Sequence, residues 1–407
     1  MRTGITGWKR VGTVLAAAMA ASILTTACAP PATQSSSNER VVEVANICPI
    51  TGPTAAPEQI GLGAMQDYVR YFNEHNGIPG VEVELLWTDN AYEVSRWISA
   101  YRRYVARGIP MFYSDDTISM KGMLAQFEKN QTPFVTGSAA PTVLFPPGWV
   151  YCPTATNGEC STAVIEYFME NWNESTPPKV VYMGENNQLG KGAAEEATPY
   201  AESLGYEVLP YIWMPFVVVD GTPQVIRLRE LGADLAMLQS ILPAVGPILK
   251  DADRLGIGSD VQFGGFEFSM GESLVKMVGP ACDGYMVPRT TPWFTETDVP
   301  GIRKIREVQQ EYHGTVREDP EYMGGWVGGA ILCEALRRAI ETEGCDDVDG
   351  AAVKAELDAM AGFDVDGLTR IDFTTQRRGS LSNAVYQIQD GTIVRVSNWI
   401  EVPMLVS

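Results

Sequence analysis

The strongest constraint in this sequence is an alternation of short β-branched or apolar runs with amphipathic stretches, which occurs twice. Residues 41–47 (VVEVANI) read as a strand that stops at Pro49 and Gly52. Over residues 58–75, Ile60, Ala64, Met65, Tyr68, Val69 and Phe72 fall at helical spacing, and Gly77, Pro79 and Gly80 end that helix. Strands at 81–87, 109–113 and 133–136 alternate with helices at 92–107 and 119–129. After residues 149–152 the pattern restarts. Helices at 161–172, 190–204, 222–231 and 244–255 alternate with strands at 179–183, 206–213, 234–238 and 261–263. Such alternation predicts α/β architecture with parallel sheets covered by helices on both faces, and right-handed crossovers make the topology doubly wound. Two series predict two lobes. Two long helices, 300–313 and 321–342, come next. A short helix near 351–360 and strands at 368–373, 384–389 and 393–400 close the chain, with Asp390-Gly391 as a hairpin turn.

In open parallel sheets a ligand sits beyond the carboxyl ends of the strands. The segments that would face a cleft are therefore 48–58, 88–92, 114–119, 136–142, 184–190, 239–243 and 264–269. They carry hydroxyls, small residues and a few carboxylates, but no histidine, lysine or arginine. Such a rim suits binding of a small polar molecule and is poorly equipped for proton shuttling at neutral pH.

Charge and export signals narrow the setting. The formal charge of −20 repels phosphate backbones and anionic lipid, which argues against a nucleic-acid partner. Arg2, Lys9 and Arg10 precede an apolar stretch at 11–24 that is too short for a membrane span but fits a secretory signal. Leu24-Thr25-Thr26-Ala27-Cys28 resembles a bacterial lipoprotein signal with Cys28 as the lipidated first residue, although Leu24 lies four residues before the cysteine. The alternative is a plain signal peptide cut near Ala27. Residues 28–40 are polar and rich in Pro and Ser and read as a tether. The expected organisation is a signal peptide at 1–27, a tether at 28–40, and a chain held on the outer side of the membrane. In that oxidising setting disulfides are expected, with Cys152 and Cys160 placed to close a turn-rich loop. Cys333 falls on an apolar helical face with Trp326 and Ala330 and reads as a buried free thiol.

Catalytic and metal motifs fail on spacing. Residues 184–192 (GENNQLGKG) have five residues between the first two glycines, and Gly192 replaces the hydroxyl that would hold magnesium in a phosphate loop. Asp347, Asp349 and Glu356 partly match a calcium loop, but Cys345 takes its first ligand position, and acids opening a helix explain them better. His75 and His313 sit near helix ends. Neither a metal nor a cofactor is expected.

Ile50-Thr51-Gly52-Pro53, the Gly61/Ala64 helix, and Asn73 with residues 76–80 resemble the opening of the leucine/isoleucine/valine-binding protein family. Residues 87–90 (WTDN), 136–141 (TGSAAP), 184–192, 263–267 (FGGFE) and Gly379, Tyr386 and Gly391 continue the match in order over roughly 41–400. These are type I periplasmic substrate-binding proteins of ABC importers. The resemblance implies two lobes joined by a three-segment hinge, with crossovers near 153–156, 287–291 and 363–368. Lobe 1 would then be 41–154 plus 289–364, and lobe 2 would be 155–288 plus 365–407. It also implies site residues. Thr117 or Ser119, with Ser138, Ala139 and Ala140, would hold the ligand carboxylate, Ala140 standing where a hydroxyl is usual. Leu189 and Ile241 occupy positions usually aromatic. Glu267 matches the acid that pairs with the ligand ammonium. Trp87, Tyr322 and Trp326 are further candidates for apolar wall.

The function so implied is capture of an amino acid, amide or related small organic molecule by hinge closure, for delivery to an ABC permease by a monomeric lipoprotein that is not an enzyme. The alternatives are a ligand-sensing module of the same fold and a secreted hydrolase. The hydrolase has no nucleophile-and-base pair behind it.

Overall fold

The first β-branched run forms β1 (Arg40–Cys48), the centre from which the first sheet is built in this computed structural model. The structure describes residues 40–52, 54–75, 77–374 and 378–405, all within one compact unit; the expected signal peptide, the expected lipidation site at Cys28 and nearly all of the expected tether lie outside them. Helix α1 (Ala55–His75), β2 (Val81–Asp89), α2 (Val94–Arg107) and β3 (Phe112–Tyr113) follow. Then come α3 (Thr117–Lys121), α4 (Leu124–Asn130), β4 (Phe134–Val135), α5 (Pro141–Leu144) and β5 (Val150–Tyr151). The strands pair in the order β2-β1-β3-β4-β5, all parallel.

The second series runs α6 (Asn157–Glu170), β6 (Lys179–Gly184), α7 (Ala193–Ser203), β7 (Glu207–Val208) and β8 (Ile212–Trp213). It continues through α8 (Thr222–Leu231), β9 (Leu235–Gln239), α9 (Leu242–Arg254), β10 (Gln262–Gly265), α10 (Glu272–Val278) and β11 (Met286–Arg289). The chain returns to the first lobe as α11 (Pro300–His313), α12 (Pro320–Glu343) and α13 (Gly350–Asp358). A small antiparallel sheet of β12 (Phe363–Asp364), β13 (Arg370–Asp372) and β14 (Gly379–Ser380) precedes β15 (Ser382–Gln389), β16 (Thr392–Arg395) and β17 (Ile400–Glu401). The second sheet has the order β16-β15-β11-β10-β9-β6-β7, parallel from β11 to β7, with β15 and β16 added antiparallel. Among the described residues, then, the fold is α/β with two doubly wound lobes.

Both lobes repeat one strand order. In the first, β1 lies between β2 and β3; in the second, β6 lies between β7 and β9. Each sheet therefore reverses direction of growth once, at β1/β3 and at β6/β9. Crevices for ligands open at such switch points because successive helices depart to opposite faces there.

Several expected elements are shorter than their sequence patterns. The strand expected at 109–113 pairs only at Phe112 and Tyr113, beyond Pro110, which has no N–H to give. Pro210 divides the run at 206–213 into β7 and β8. The helix expected at 119–129 breaks between α3 and α4 around Gly122 and Met123. The expected strand at 393–400 is divided between β16 and β17. The loop between Cys152 and Cys160 is not closed by a disulfide: both thiols are free and buried, as is Cys333. Cys152 lies instead against the Thr154 hydroxyl at 3.1 Å.

Helix α12 is buried along most of its length, with Trp326, Ile331, Leu332 and Leu336 in the core. It packs closely on α1, and that pairing brings the start of both helices to the cleft.

Candidate ligand-binding cleft

The loops that leave the two switch points define one cavity of about 140 Å³. From the first sheet come Asn46 on β1, Tyr113 at the end of β3, Asp115 after it, and Thr117, Gly137 and Ser138. From the second come Leu189 after β6, Phe216 after β8, Ile241 after β9, and Phe266 and Phe268 after β10. The helix starts close it: Glu58, Gly61 and Leu62 of α1 and Glu321, Gly324 and Gly325 of α12.

Local chemistry explains how these loops hold their shape. Asp89 accepts from the Thr51 hydroxyl (2.6 Å), the Thr51 N–H (3.3 Å) and the Ala91 N–H (2.9 Å). That brace ties the loop before α1 to the turn after β2, where Ala91 and Tyr92 have φ of 50° and 60°. Tyr92, held in this costly left-handed conformation, lines the cavity and meets Phe216 of the other lobe edge to face, ring centres 6.4 Å apart. Asp116 is buried and caps α3, accepting from the Ser119 N–H (3.0 Å) and hydroxyl (2.7 Å). Asn90 donates to the same carboxylate at 2.8 Å. On the second lobe the 184–192 loop makes a π-helical turn with Asn187 accepting from the Gly190 N–H at 3.0 Å. A side chain at Gly190 would sit 2.4 Å from the Glu185 carbonyl oxygen. The loop's glycines thus serve close backbone packing. Asp349 of the calcium-like segment caps α13 through the N–H groups of Ala351 and Ala352, and no cluster among the described residues is arranged to hold a metal ion.

Of the residues singled out from the sequence, Thr117, Ser138, Leu189 and Ile241 come together in the cavity lining. Ser119, Ala139, Ala140 and Glu267 do not. The Ser119 hydroxyl is spent on Asp116, and Ala139 and Ala140 are buried in packing. Glu267, 2% exposed, accepts from the Thr290 N–H and hydroxyl, both at 2.8 Å. Burial raises its pKa and the nearby Arg289 guanidinium opposes that rise. Glu267 itself follows β10, and Thr290 is where the chain leaves β11. Tyr322 and Trp326 belong to the core, and Trp87 is exposed.

Three carboxylates that sequence reasoning did not assign to the site line the cavity instead: Glu58, Asp115 and Glu321. Burial is the main cause that raises the pKa of all three. At Glu58 the negative fields of Asp115, Asp116 and Glu321 add to it. At Asp115 hydrogen bonds from Gly137, Tyr113 and Thr136 work against it. Glu321 is pushed up to about 8, with the field of Asp319 adding and those of Arg289 and Arg317 opposing. Glu58 and Asp115 lie in the cleft-facing segments 48–58 and 114–119, but Glu321 opens a helix far away in sequence, and no local signal points to it.

Two facing parallel sheets with a cavity spanning both switch points define a type I periplasmic binding protein. The periplasmic binding protein family model matches residues 41–392, and the chain belongs to that family. Leu/Ile/Val-binding protein homolog 2 of Brucella abortus (strain 2308) is 24% identical over 271 residues, 64% of this chain and 70% of that one. Homolog 1 of Brucella suis biovar 1 (strain 1330) is 22% identical over the same shares. Among solved structures, a branched chain amino acid ABC transporter protein from Thermus thermophilus with bound valine superposes with a TM-score of 0.81 at 24% identity, covering 89% of this chain and 97% of that one. A fatty acid ABC transporter substrate-binding protein from Thermomonospora curvata gives 0.78 at 18% identity, covering 90% and 96%. The protein is thus a ligand-binding protein of ABC-transporter type with an extracytoplasmic place of work, and no helix of the described residues is long and apolar enough to cross a membrane.

Proposed function

We propose that this protein is the substrate-capture component of an ABC importer, exported and held at the membrane through lipidated Cys28. It takes an amino acid, amide or related small organic molecule into the cleft between lobe 1 (41–154 plus 289–364) and lobe 2 (155–288 plus 365–407). The observation that carries the reading is the single cavity lined from both switch points and capped by the inter-lobe contact of Tyr92 with Phe216. A ligand touching both walls stabilises the closed form by its differential contacts, and the closed monomer then docks on the permease. Thr117 and Ser138 contact the ligand from one lobe and Leu189 and Ile241 from the other. Glu267 ties Thr290 of the 287–291 crossover to the loop after β10.

Thermal unfolding with a panel of amino acids, amides and amines tests the reading. A captured ligand at a hundred times its Kd adds about 2.7 kcal/mol of stability by mass action and is recovered unchanged by mass spectrometry. Conversion of a panel compound into product would remove the capture reading.

A further inference from the structure

The cavity has an acidic wall and no basic side chain. Its lining holds three carboxylates, Glu58, Asp115 and Glu321, and no lysine, arginine or histidine. Asn46, 2% exposed, gives its amide N–H to the Met65 sulfur and leaves its Oδ1 without a partner. The Thr54 hydroxyl, also in the lining, is buried with none. An acceptor left unmatched in a partly desolvated site is costly, and a carboxylate more so.

The donors after β4 that could receive a ligand carboxylate are meanwhile taken. The Gly137 N–H gives a 2.6 Å bond to Asp115 Oδ1, and the Thr136 hydroxyl donates to the same oxygen at 3.3 Å. The Ser138 hydroxyl donates to Asn157 Oδ1 at 3.0 Å. The carboxylate of Asp115 thus sits on the donors after β4 and presents negative charge to the space where a zwitterion would bring its own. Aromatic faces complete the wall: Tyr92, Tyr113, Phe216 and Phe268, surfaces that attract a cation and pack an apolar body.

Resting on the capture reading above, we infer that this cleft selects an organic cation without a carboxylate, an amine with an apolar body. Its ammonium is held among Glu58, Asp115, Glu321 and Asn46 Oδ1, and its body lies against Tyr92 and Phe216. A metal ion is the poorer occupant, because the acids are not disposed as a cation cage and the aromatic rings offer it no ligand.

Matched probes test this by calorimetry on the purified full chain: isoamylamine, leucine and isocaproate, then phenethylamine, phenylalanine and hydrocinnamate. The expected order places each amine about tenfold or more ahead of its parent amino acid, with the acids not binding. Glu321→Gln and Asp115→Asn should each weaken the amines by about tenfold, and either variant that melts cooperatively suffices. An amino acid or acid binding as tightly as its amine overturns the inference while leaving capture standing. No binding of either amine also overturns it. Chemical turnover of a probe is the separate result that fails the capture reading.

Discussion

Gly325→Ala tests whether the contact of α1 with α12 sets both stability and the site. A Cβ at Gly325 would lie 2.0 Å from the Gly61 carbonyl oxygen and 2.9 Å from its Cα. An ordinary carbon–oxygen contact is roughly 3.3 Å, so the helices must part locally by about 1.3 Å, since both contacting groups are backbone and cannot rotate away. Overpacking of this kind costs about 3 kcal/mol, the upper part of its usual range, which lowers Tm by about 6–12 °C at the size of a lobe. The same displacement moves Glu58 away from Glu321, so amine affinity falls with stability. Gly63→Ala is the control: it lies in the same α1, and its Cβ would meet nothing within 4 Å. There the substitution should raise stability by about 0.5–1 kcal/mol through helix propensity. Calorimetric melting of both variants, followed by amine titration, reads the effect. Equal Tm changes in the two variants, or an unchanged Tm for Gly325→Ala, would refute the reasoning.

The remaining predictions use other parts of the structure. Glu321 holds a proton when folded up to about pH 8, against an ordinary value of 4.5, so between those limits the folded chain binds more protons than the unfolded one and stability falls as pH rises. Urea unfolding at several pH values should show that slope reduced in Glu321→Gln; an identical slope removes Glu321 as its source. Because an ammonium binds the ionised acid, amine affinity should rise towards pH 8, with Glu58, Asp319, Arg289 and Arg317 supplying the surrounding field. Glu267→Gln should cost about 3 kcal/mol by disturbing a buried acid beside Arg289, with affinity changed less than about twofold; a large affinity loss at wild-type stability would return Glu267 to the ligand. Phe216→Ala should speed ligand release about tenfold by opening the Tyr92 contact, and stopped-flow release kinetics that match the wild type would show that the rings do not retain ligand. Among the cysteines from Cys48 onward, only Cys345 should react promptly with a thiol reagent in the native protein, since the others are buried; rapid labelling of Cys152 or Cys160 would contradict the packing.

Periodicity carried most of the fold. Strand and helix alternate because each residue's side-chain direction is fixed by local backbone geometry, so the runs at 41–47, 58–75 and 321–342 announce β1, α1 and α12 without any knowledge of their partners. The parallel sheets follow from that alternation, as do the cleft-facing loops that hold Thr117, Ser138, Leu189 and Ile241. Local signals fail where a partner decides. Strand β3 shrinks to two residues because Pro110 removes a donor, and the Cys152–Cys160 loop stays open because each thiol finds its place in packing. The acids show the limit best. Glu267 follows a glycine-rich strand end and Glu321 opens a helix, and nothing near either one tells them apart. Only the close crossing of α12 over α1, made possible by Gly325 against Gly61, carries Glu321 into the cavity, while the chain's exit from β11 gives Glu267 to Thr290. Which charge faces a ligand is set by contacts between residues far apart in sequence, and those exist only once the lobes are folded.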